Sequence, residues 1–390
     1  MIAPGAWLGV LGGGQLGRMF AMAAHRLGYR IVVLDPDLHS TAGSVADWHL
    51  CAPLDDAAAL AEMARTCSAV TIETENAPVA SIERLARDVG VSPPATAVAI
   101  AQDRIREKAF VSALGLSPAP YAAILAATDF DGTNIDALLP GVLKLSRFGY
   151  DGKGQARVGT REEARAAFVA MGSAPCVLEL RIALQLELSV VLARDAKGNT
   201  AAWPVAENQH KDGILDLTIM PARIGPDLAA EALAAAVTIA GGLDYRGVLC
   251  VEFFVDAHGA LLVNEFAPRP HNSGHVTIEA SLTSQFEQQA RVLAGLPLGD
   301  TALRSPAVMQ NLLGETWAAG MPDWKALLAE AGVALHLYGK DAPRRGRKMG
   351  HYTCLAATAG DALATALRLR DILPARTGAG HAAPQDQTVA

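Results

Sequence analysis

Apolar residues along the chain fall into two periods. Short, almost unbroken apolar runs at Trp7–Leu11, Arg30–Leu34, Val70–Asn76, Val142–Leu145, Cys176–Leu180, Leu186–Leu192, Val248–Val255, Ala260–Phe266 and Leu335–Lys340 predict strands. Between them Arg18–Leu27, Thr96–Leu114, Ala229–Gly241 and Thr277–Leu293 carry apolar residues at helical spacing. Strand and helix alternate from the start, which predicts an α/β protein whose first sheet is parallel. Pro93-Pro94 closes that first unit, and Pro118-Ala119-Pro120 opens another.

The most informative stretch is Val248–His275. Two apolar runs each contain one carboxylate, Glu252 and Glu265, on either side of Asp256-Ala257-His258-Gly259, which predicts a hairpin turn. A two-residue turn at His258-Gly259 sets Glu252 opposite Glu265, and a four-residue loop keeps both on one face. A three-residue loop would break the match. Two like charges facing each other on a largely buried sheet need something positive between them. A pair of oxygen ligands beside a polar loop suits Mg²⁺ that also holds substrate phosphates. The loop that follows, Ala267–His275, stiffened by Pro268 and Pro270, carries Arg269, His271, Asn272, Ser273 and His275, a set suited to a small anion.

Composition narrows the class. The chain has 390 residues, 51% of them apolar and 19% charged, enough for two or three globular domains. Its net charge of -7 argues against a nucleic-acid partner. Five scattered cysteines with no C-x-x-C pair predict reduced thiols and a cytoplasmic location. Neither a signal segment nor a membrane-length apolar run is present.

In chain order, Gly12–Gly17 follows the first strand and opens a helix, and a second strand ends at Asp35. That is the pattern by which glycines admit a phosphate or ribose to a helix N-terminus. A purely structural tight turn stays open as the alternative. Glu73 and Asn76 end the strand at Val70 and are candidates for ribose or amine. Lys144 sits in a short apolar strand ahead of the glycine loop Phe148–Gln155, an arrangement for clamping triphosphate that is not a P-loop. Glu179 and Glu187 lie in successive strands and suit adenine and ribose, while Glu207–Gly213 is a candidate gate. Five cations crowd Lys340–His351 in an otherwise acidic chain, and the residues from Thr377 on predict a disordered tail.

Together, GGGQLGR at Gly12–Arg18, FGYDGKGQ at Phe148–Gln155, NQHKDGIL at Asn208–Leu215, NEFAPRPHNSGH at Asn264–His275 and GRKMGH at Gly346–His351 resemble the ATP-grasp family. Within that family they resemble the N5-carboxyaminoimidazole ribonucleotide synthetases over nearly the whole chain. The resemblance implies a three-domain ATP-grasp fold, α/β with an α+β grasp. Its parts are a Rossmann-like domain at 1–95, a lid with its connecting helix at 96–180, a C-terminal domain at 181–376 and a tail at 377–390. It implies ATP- and bicarbonate-dependent carboxylation of 5-aminoimidazole ribonucleotide through carboxyphosphate, with release of ADP and phosphate. The expected assembly is a homodimer, and a mutase consumes the product. Carried over, ATP meets Arg104, Lys144, the loop Gly149, Tyr150, Asp151, Gly152, Lys153, Gly154 and Gln155, then Glu179, Leu180, Arg181 and Ile182 at adenine, and Glu187 and His210. Glu252 and Glu265, with Asn264 beside them, hold Mg²⁺. Arg269, His271, Asn272 and Ser273 hold bicarbonate and its phosphorylated form. Tyr150 and Asp151 orient the substrate amine, Lys340 and Arg347 grip its phosphate across from Gln15 and Leu16, and Glu73 lies on the sugar side. The adenine segment departs from the family pattern, which often has a second acid and Phe after the first Glu; here Leu180 and Arg181 follow Glu179.

Three other readings use part of the same residues. An NAD-dependent oxidoreductase would account for GGGQLG and Asp35 but leaves Lys144 and the paired glutamates without a role. A formate-using phosphoribosyl transformylase or a biotin carboxylase-like enzyme shares the fold but not the NSGH and GRKMGH segments. A non-catalytic nucleotide-binding regulator does not explain intact Lys144, Glu252, Glu265 and Arg269.

Overall fold

A computed structural model describes residues 1–147, 149 and 154–373. The tail expected from Thr377 lies outside them. The first sheet has five parallel strands in the order Trp48–Leu50, Arg30–Leu34, Trp7–Leu11, Ala69–Ile72, Gly90–Ser92. The chain winds one way from Trp7–Leu11 and then crosses to Ala69–Ile72, so the C-terminal ends of those two strands flank a crevice. The helix Gln15–Arg26 buries Leu16, Met19, Phe20, Ala23 and Ala24 at helical spacing. The strand expected to reach Asn76 stops at Ile72, which leaves Glu73, Glu75 and Asn76 in the connecting loop at the crevice mouth.

Four antiparallel strands form the second sheet, ordered Tyr121–Ile124, Cys176–Leu180, Gly141–Leu145, Gln155–Val158. The helix Arg161–Ala170 covers it with Ala164 and Phe168, which join Phe130, Leu143 and Leu178 in one core.

The third sheet is larger, with antiparallel neighbours throughout. Its order is Leu261–Ala267, Gly247–Asp256, Leu184–Arg194, Ala206–Lys211, Ile214–Met220, Ala307–Leu313, Lys348–Leu355, Val333–Leu337, with Thr200–Ala202 beside Leu184–Arg194. One face packs on Pro226–Gly242 and also on Ala97 and Val111, from the helices Ala95–Ala101 and Arg104–Ala113. Residues 96–116, expected with the lid, therefore build the core of the large sheet; Phe110 meets Phe266 edge-on at 6.2 Å. The helix Gln285–Leu293 fills the gap between that sheet and Gln15–Arg26, burying Phe286, Ala290 and Leu293 against Leu16 and Phe20. Among the described residues no helix is long and apolar enough to cross a membrane.

The hairpin differs from its expected form. Asp256 N–H bonds to the Ala260 carbonyl at 3.1 Å, closing a turn of three residues, Ala257–Gly259, with Gly259 at φ +84°. Such a turn slips the ladder by one, so Phe253 pairs with Val263. Asn264 is then an extra residue, a bulge, and beyond it Glu252 stands opposite Glu265. The carboxylates meet because the bulge undoes the slip.

Candidate active site

All three sheets open onto one cleft of about 1140 Å³. Glu252 and Glu265 project into it from the bulged hairpin. Arg104 supplies the positive charge that such a pair requires: its Nη1 is 2.6 Å from Glu265 Oε2, and its Nη2 donates to the Gly149 carbonyl at 3.1 Å. Burial raises the Glu265 carboxyl, but the charges of Arg104 and Lys144 outweigh it and hold the group at about 2. Glu252 lacks that neighbour, and burial followed by the Glu265 charge pushes it up to about 7. The two acids are thus pushed in opposite directions.

Next to Glu252 stands His271, with Nε2 3.3 Å from Glu252 Oε1. Ser273 N–H donates to its Nδ1 at 3.3 Å, so the ring proton lies on Nε2, facing the carboxylate. Burial and then the Arg269 charge hold the imidazole down at about 3, so the ring is neutral. Ser273, expected to touch the anion, is fully buried behind this ring. Its hydroxyl lies 2.9 Å from His271 Nδ1 and accepts from Ser189 Oγ at 2.9 Å. Asn272 does reach the cleft: 7% exposed, it has neither amide atom in a hydrogen bond. Leaving such atoms unpaired costs roughly 1–3 kcal/mol each, so they mark a ligand position. Arg269 lines the same end, and its Nε is bonded to the Glu75 carboxylate.

Toward the second sheet, Lys144 Nζ is 2.9 Å from Glu179 Oε2 and Lys108 Nζ is 3.2 Å from Glu179 Oε1. The Glu179 carboxylate, expected at adenine, is held by two lysines; Leu180, Arg181 and Ile182 carry the cleft wall onward. His210 Nδ1 bonds to Glu187 Oε2 across neighbouring strands. Burial lowers the His210 pKa, but Glu187 and Glu252 more than offset this and raise it. Gly149, Gly154 and Gln155 line this part of the cleft, whereas Tyr150, Asp151, Gly152 and Lys153 lie outside the described residues.

The glycine turn has a different occupant from the one its pattern suggests. Gly17 N–H donates to Glu73 Oε2 at 3.3 Å, and a Cβ at Gly12 would stand 2.7 Å from the Glu73 side chain. The glycines make room for a carboxylate of the chain itself, which takes the place that a dinucleotide phosphate would fill. Burial raises the Glu73 pKa against the pull of the Gly14 and Gly17 amides. Beside this turn, Gln15 Oε1 accepts from Lys340 Nζ at 2.9 Å, and Lys340 also donates to the Lys348 carbonyl at 2.7 Å. Arg347 donates to the Ala342 carbonyl at 2.9 Å. Gln15, Leu16 and Lys348 line the cleft; Lys340 stands behind Gln15.

Several residues of this site escape sequence reasoning. Glu75 is passed over for Glu73 and Asn76, because its partner Arg269 is far away in the chain. Lys108, 1% exposed, looks like an ordinary helix lysine until Glu179 is placed beside it. Glu107 accepts from Phe266 N–H at 2.7 Å, and burial followed by the Glu265 charge pushes its carboxyl up to about 8.

Three domain families match the chain: the ribonucleotide synthetase preATP-grasp domain at residues 6–102, the ATP-grasp domain at 109–286, and the phosphoribosylaminoimidazole carboxylase C-terminal domain at 307–365. The chain is 46% identical over 358 residues to the N5-carboxyaminoimidazole ribonucleotide synthase of Brucella melitensis, covering 90% of this chain and 97% of that one. It is similar to a crystal structure of N5-carboxyaminoimidazole ribonucleotide synthetase in complex with ADP, at a TM-score of 0.89 and 38% identity over 95% of this chain and 97% of that one. The Aspergillus clavatus synthase in complex with ADP and 5-aminoimidazole ribonucleotide superposes at a TM-score of 0.86, with 29% identity, over 94% and 98% of the two chains.

Proposed function

The chain belongs to the N5-carboxyaminoimidazole ribonucleotide synthase family, and from that we propose how its cleft divides the work. The protein is an ATP-grasp ligase that carboxylates 5-aminoimidazole ribonucleotide in purine biosynthesis, using ATP. The observation that carries the division of roles is the meeting, at one end of the cleft, of the Glu252–Glu265 pair with the Arg269–Asn272 loop.

ATP lies along the rest of the cleft, with its phosphates toward the hairpin. Arg104 and Lys144 face its phosphates, Gly149, Gly154 and Gln155 line the cleft beside them, Leu180–Ile182 border the adenine, and Glu187 with His210 takes the ribose. Mg²⁺ fits the hairpin. Glu252 and Glu265 offer facing oxygens, and the neighbouring Asn264 Oδ1 is buried without a partner. Among the described residues no group of three or more His, Cys, Asp or Glu is arranged for a metal. Two carboxylates sharing the ion with the triphosphate is the usual arrangement for Mg²⁺. Bound there, the ion supplies charge neutralisation for the phosphates.

Arg269, neutral His271 and the Asn272 amide hold bicarbonate. One of its oxygens forms a bond to the γ-phosphorus as the bond to the ADP oxygen breaks. The carboxyphosphate so formed is shielded from water by the lid. The exocyclic amine of the ribonucleotide then bonds to the carboxyl carbon, directly or after release of CO₂, and inorganic phosphate and the amine proton leave. Tyr150 and Asp151 orient that amine, Glu73 takes the sugar, and Lys340 and Arg347 with the Gln15-Leu16 turn take the ribonucleotide phosphate. A cytoplasmic homodimer whose product passes to a mutase completes the proposal. With ¹⁸O-labelled bicarbonate, released phosphate is expected to carry one labelled oxygen. Unlabelled phosphate alongside normal carboxylation would overturn attack on the γ-phosphorus.

Glu252 also sets a pH dependence. Its folded pKa of about 7 lies above the ordinary 4.5, so its stabilising contribution is complete in acid and lost as pH rises through about 7. A cation between the two carboxylates reverses this loss. Mg²⁺ is therefore expected to raise the thermal midpoint by a larger amount near pH 8 than near pH 6. Scanning calorimetry checks this, and equal shifts at both pH values would contradict it.

A further inference from the structure

The anion loop is held from behind by a residue with no part in the reading above. Gln285, the first residue of Gln285–Leu293, is fully buried. Its Oε1 accepts from His271 N–H at 2.9 Å, and its Nε2 donates to the His271 carbonyl at 2.7 Å. The same Nε2 lies 3.2 Å from His275 Nδ1. Bonding to both the N–H and the C=O of one residue fixes which end of the amide is which. His275 accordingly accepts at Nδ1. Close approach is part of the design: a Cβ at Gly274 would stand 2.2 Å from Gln285 Oε1. One helical turn on, Gln289 bonds to Val248 N–H at 2.6 Å and to Thr71 Oγ1 at 2.8 Å. That face of the helix thus ties the anion loop and the large sheet to the strand that delivers Glu73 and Glu75.

We propose that Gln285 is a positioning residue for the anion end of the cleft. By gripping the His271 backbone it keeps Nε2 of that ring toward Glu252 and the Asn272 amide toward the cleft. This role rests on the assignment of Arg269, His271 and Asn272 to bicarbonate. Among the described residues the strand pairing ends at Ala267, ahead of this loop, and a displacement of about 1 Å in a reacting group costs on the order of 10²-fold in rate.

The test is Gln285→Met, similar in size but without donor or acceptor, in the full-length enzyme, with His271→Asn as control. Gln285→Met is expected to raise the bicarbonate KM by about 10-fold and to lower kcat by a similar factor. ATP affinity by calorimetry is expected to stay within about 2-fold, because the lysine and arginine end is untouched. A raised bicarbonate KM in His271→Asn with an unchanged one in Gln285→Met would overturn the role of Gln285 alone. No change in either would overturn the bicarbonate assignment and the positioning role with it. Hydrogen exchange in the unmodified protein needs no variant to fold. The His271 amide is expected to exchange at least on the order of 10²-fold more slowly than an unstructured amide, and exchange at the unstructured rate overturns the grip.

Discussion

Glu265→Gln is expected to lower kcat for ribonucleotide-dependent ADP release by about 10³-fold, the largest effect of any single change in the cleft. The substitution keeps the shape and removes one charge, and three consequences follow from the geometry. Arg104, partly buried and 2.6 Å from Glu265 Oε2, loses the carboxylate that balances it. Glu252 loses the neighbouring charge that, after burial, raises its pKa. The oxygen pair that fits Mg²⁺ loses its ionised member, the one held at about 2 and therefore charged throughout the working pH range. The pair is open to the cleft on the Glu265 side, so breaking it costs less than the roughly 3–5 kcal/mol of a fully buried pair, and a modestly lower thermal midpoint is expected as well. Steady-state kinetics at saturating Mg²⁺-ATP check the first effect. A variant retaining activity within about 10-fold would remove Glu265 from the reacting centre.

Arg269→Met ranks second, with kcat reduced by about 10²- to 10³-fold and a raised bicarbonate KM. Arg269 lines the cleft while its Nε holds the partly buried Glu75 carboxylate, so one planar fork can serve that carboxylate and an anion at once. Removing it strips the anion end of its cation and leaves Glu75 unbalanced, so the cleft there becomes repulsive to bicarbonate. Arg269→Lys should recover little, because one ammonium cannot reach both partners with fixed geometry. The ATP KM is expected to change far less, since Lys144 is held by Glu179 and Arg104 by Glu265, and neither depends on Arg269. An unchanged bicarbonate KM in Arg269→Met would exclude a role for this residue in holding that substrate.

Much of the architecture is legible in local pattern. Trp7–Leu11 and Arg30–Leu34 are strands because each is a short apolar run bounded by turn residues. The facing of Glu252 and Glu265 illustrates the limit of such reasoning. Turn length is hard to read from Asp256-Ala257-His258-Gly259, and the bulge at Asn264 that corrects the register leaves no separate mark in sequence. The glycine turn shows another limit: GGGQLG specifies close approach to a helix N-terminus, but not that Glu73 is what approaches. Charge partners are the least legible feature. Lys108 with Glu179, Arg269 with Glu75, and Gln285 with the His271 backbone are pairings made by tertiary packing. Helix and strand periodicity carries no information about them. The motif resemblance brings whole segments rather than single residues and so points to Lys144, Glu187 and His210 together, but it does not give the pairing of Lys144 with Glu179 or of Glu187 with His210.

The most direct measurement is ADP release by the purified protein with Mg²⁺-ATP and bicarbonate, with and without 5-aminoimidazole ribonucleotide. The expected result is turnover that depends on the ribonucleotide, with one N5-carboxylated product formed per ADP. Turnover with another acceptor in its place, or ATP binding without turnover on any acceptor, would contradict the assignment of this cleft to aminoimidazole carboxylation.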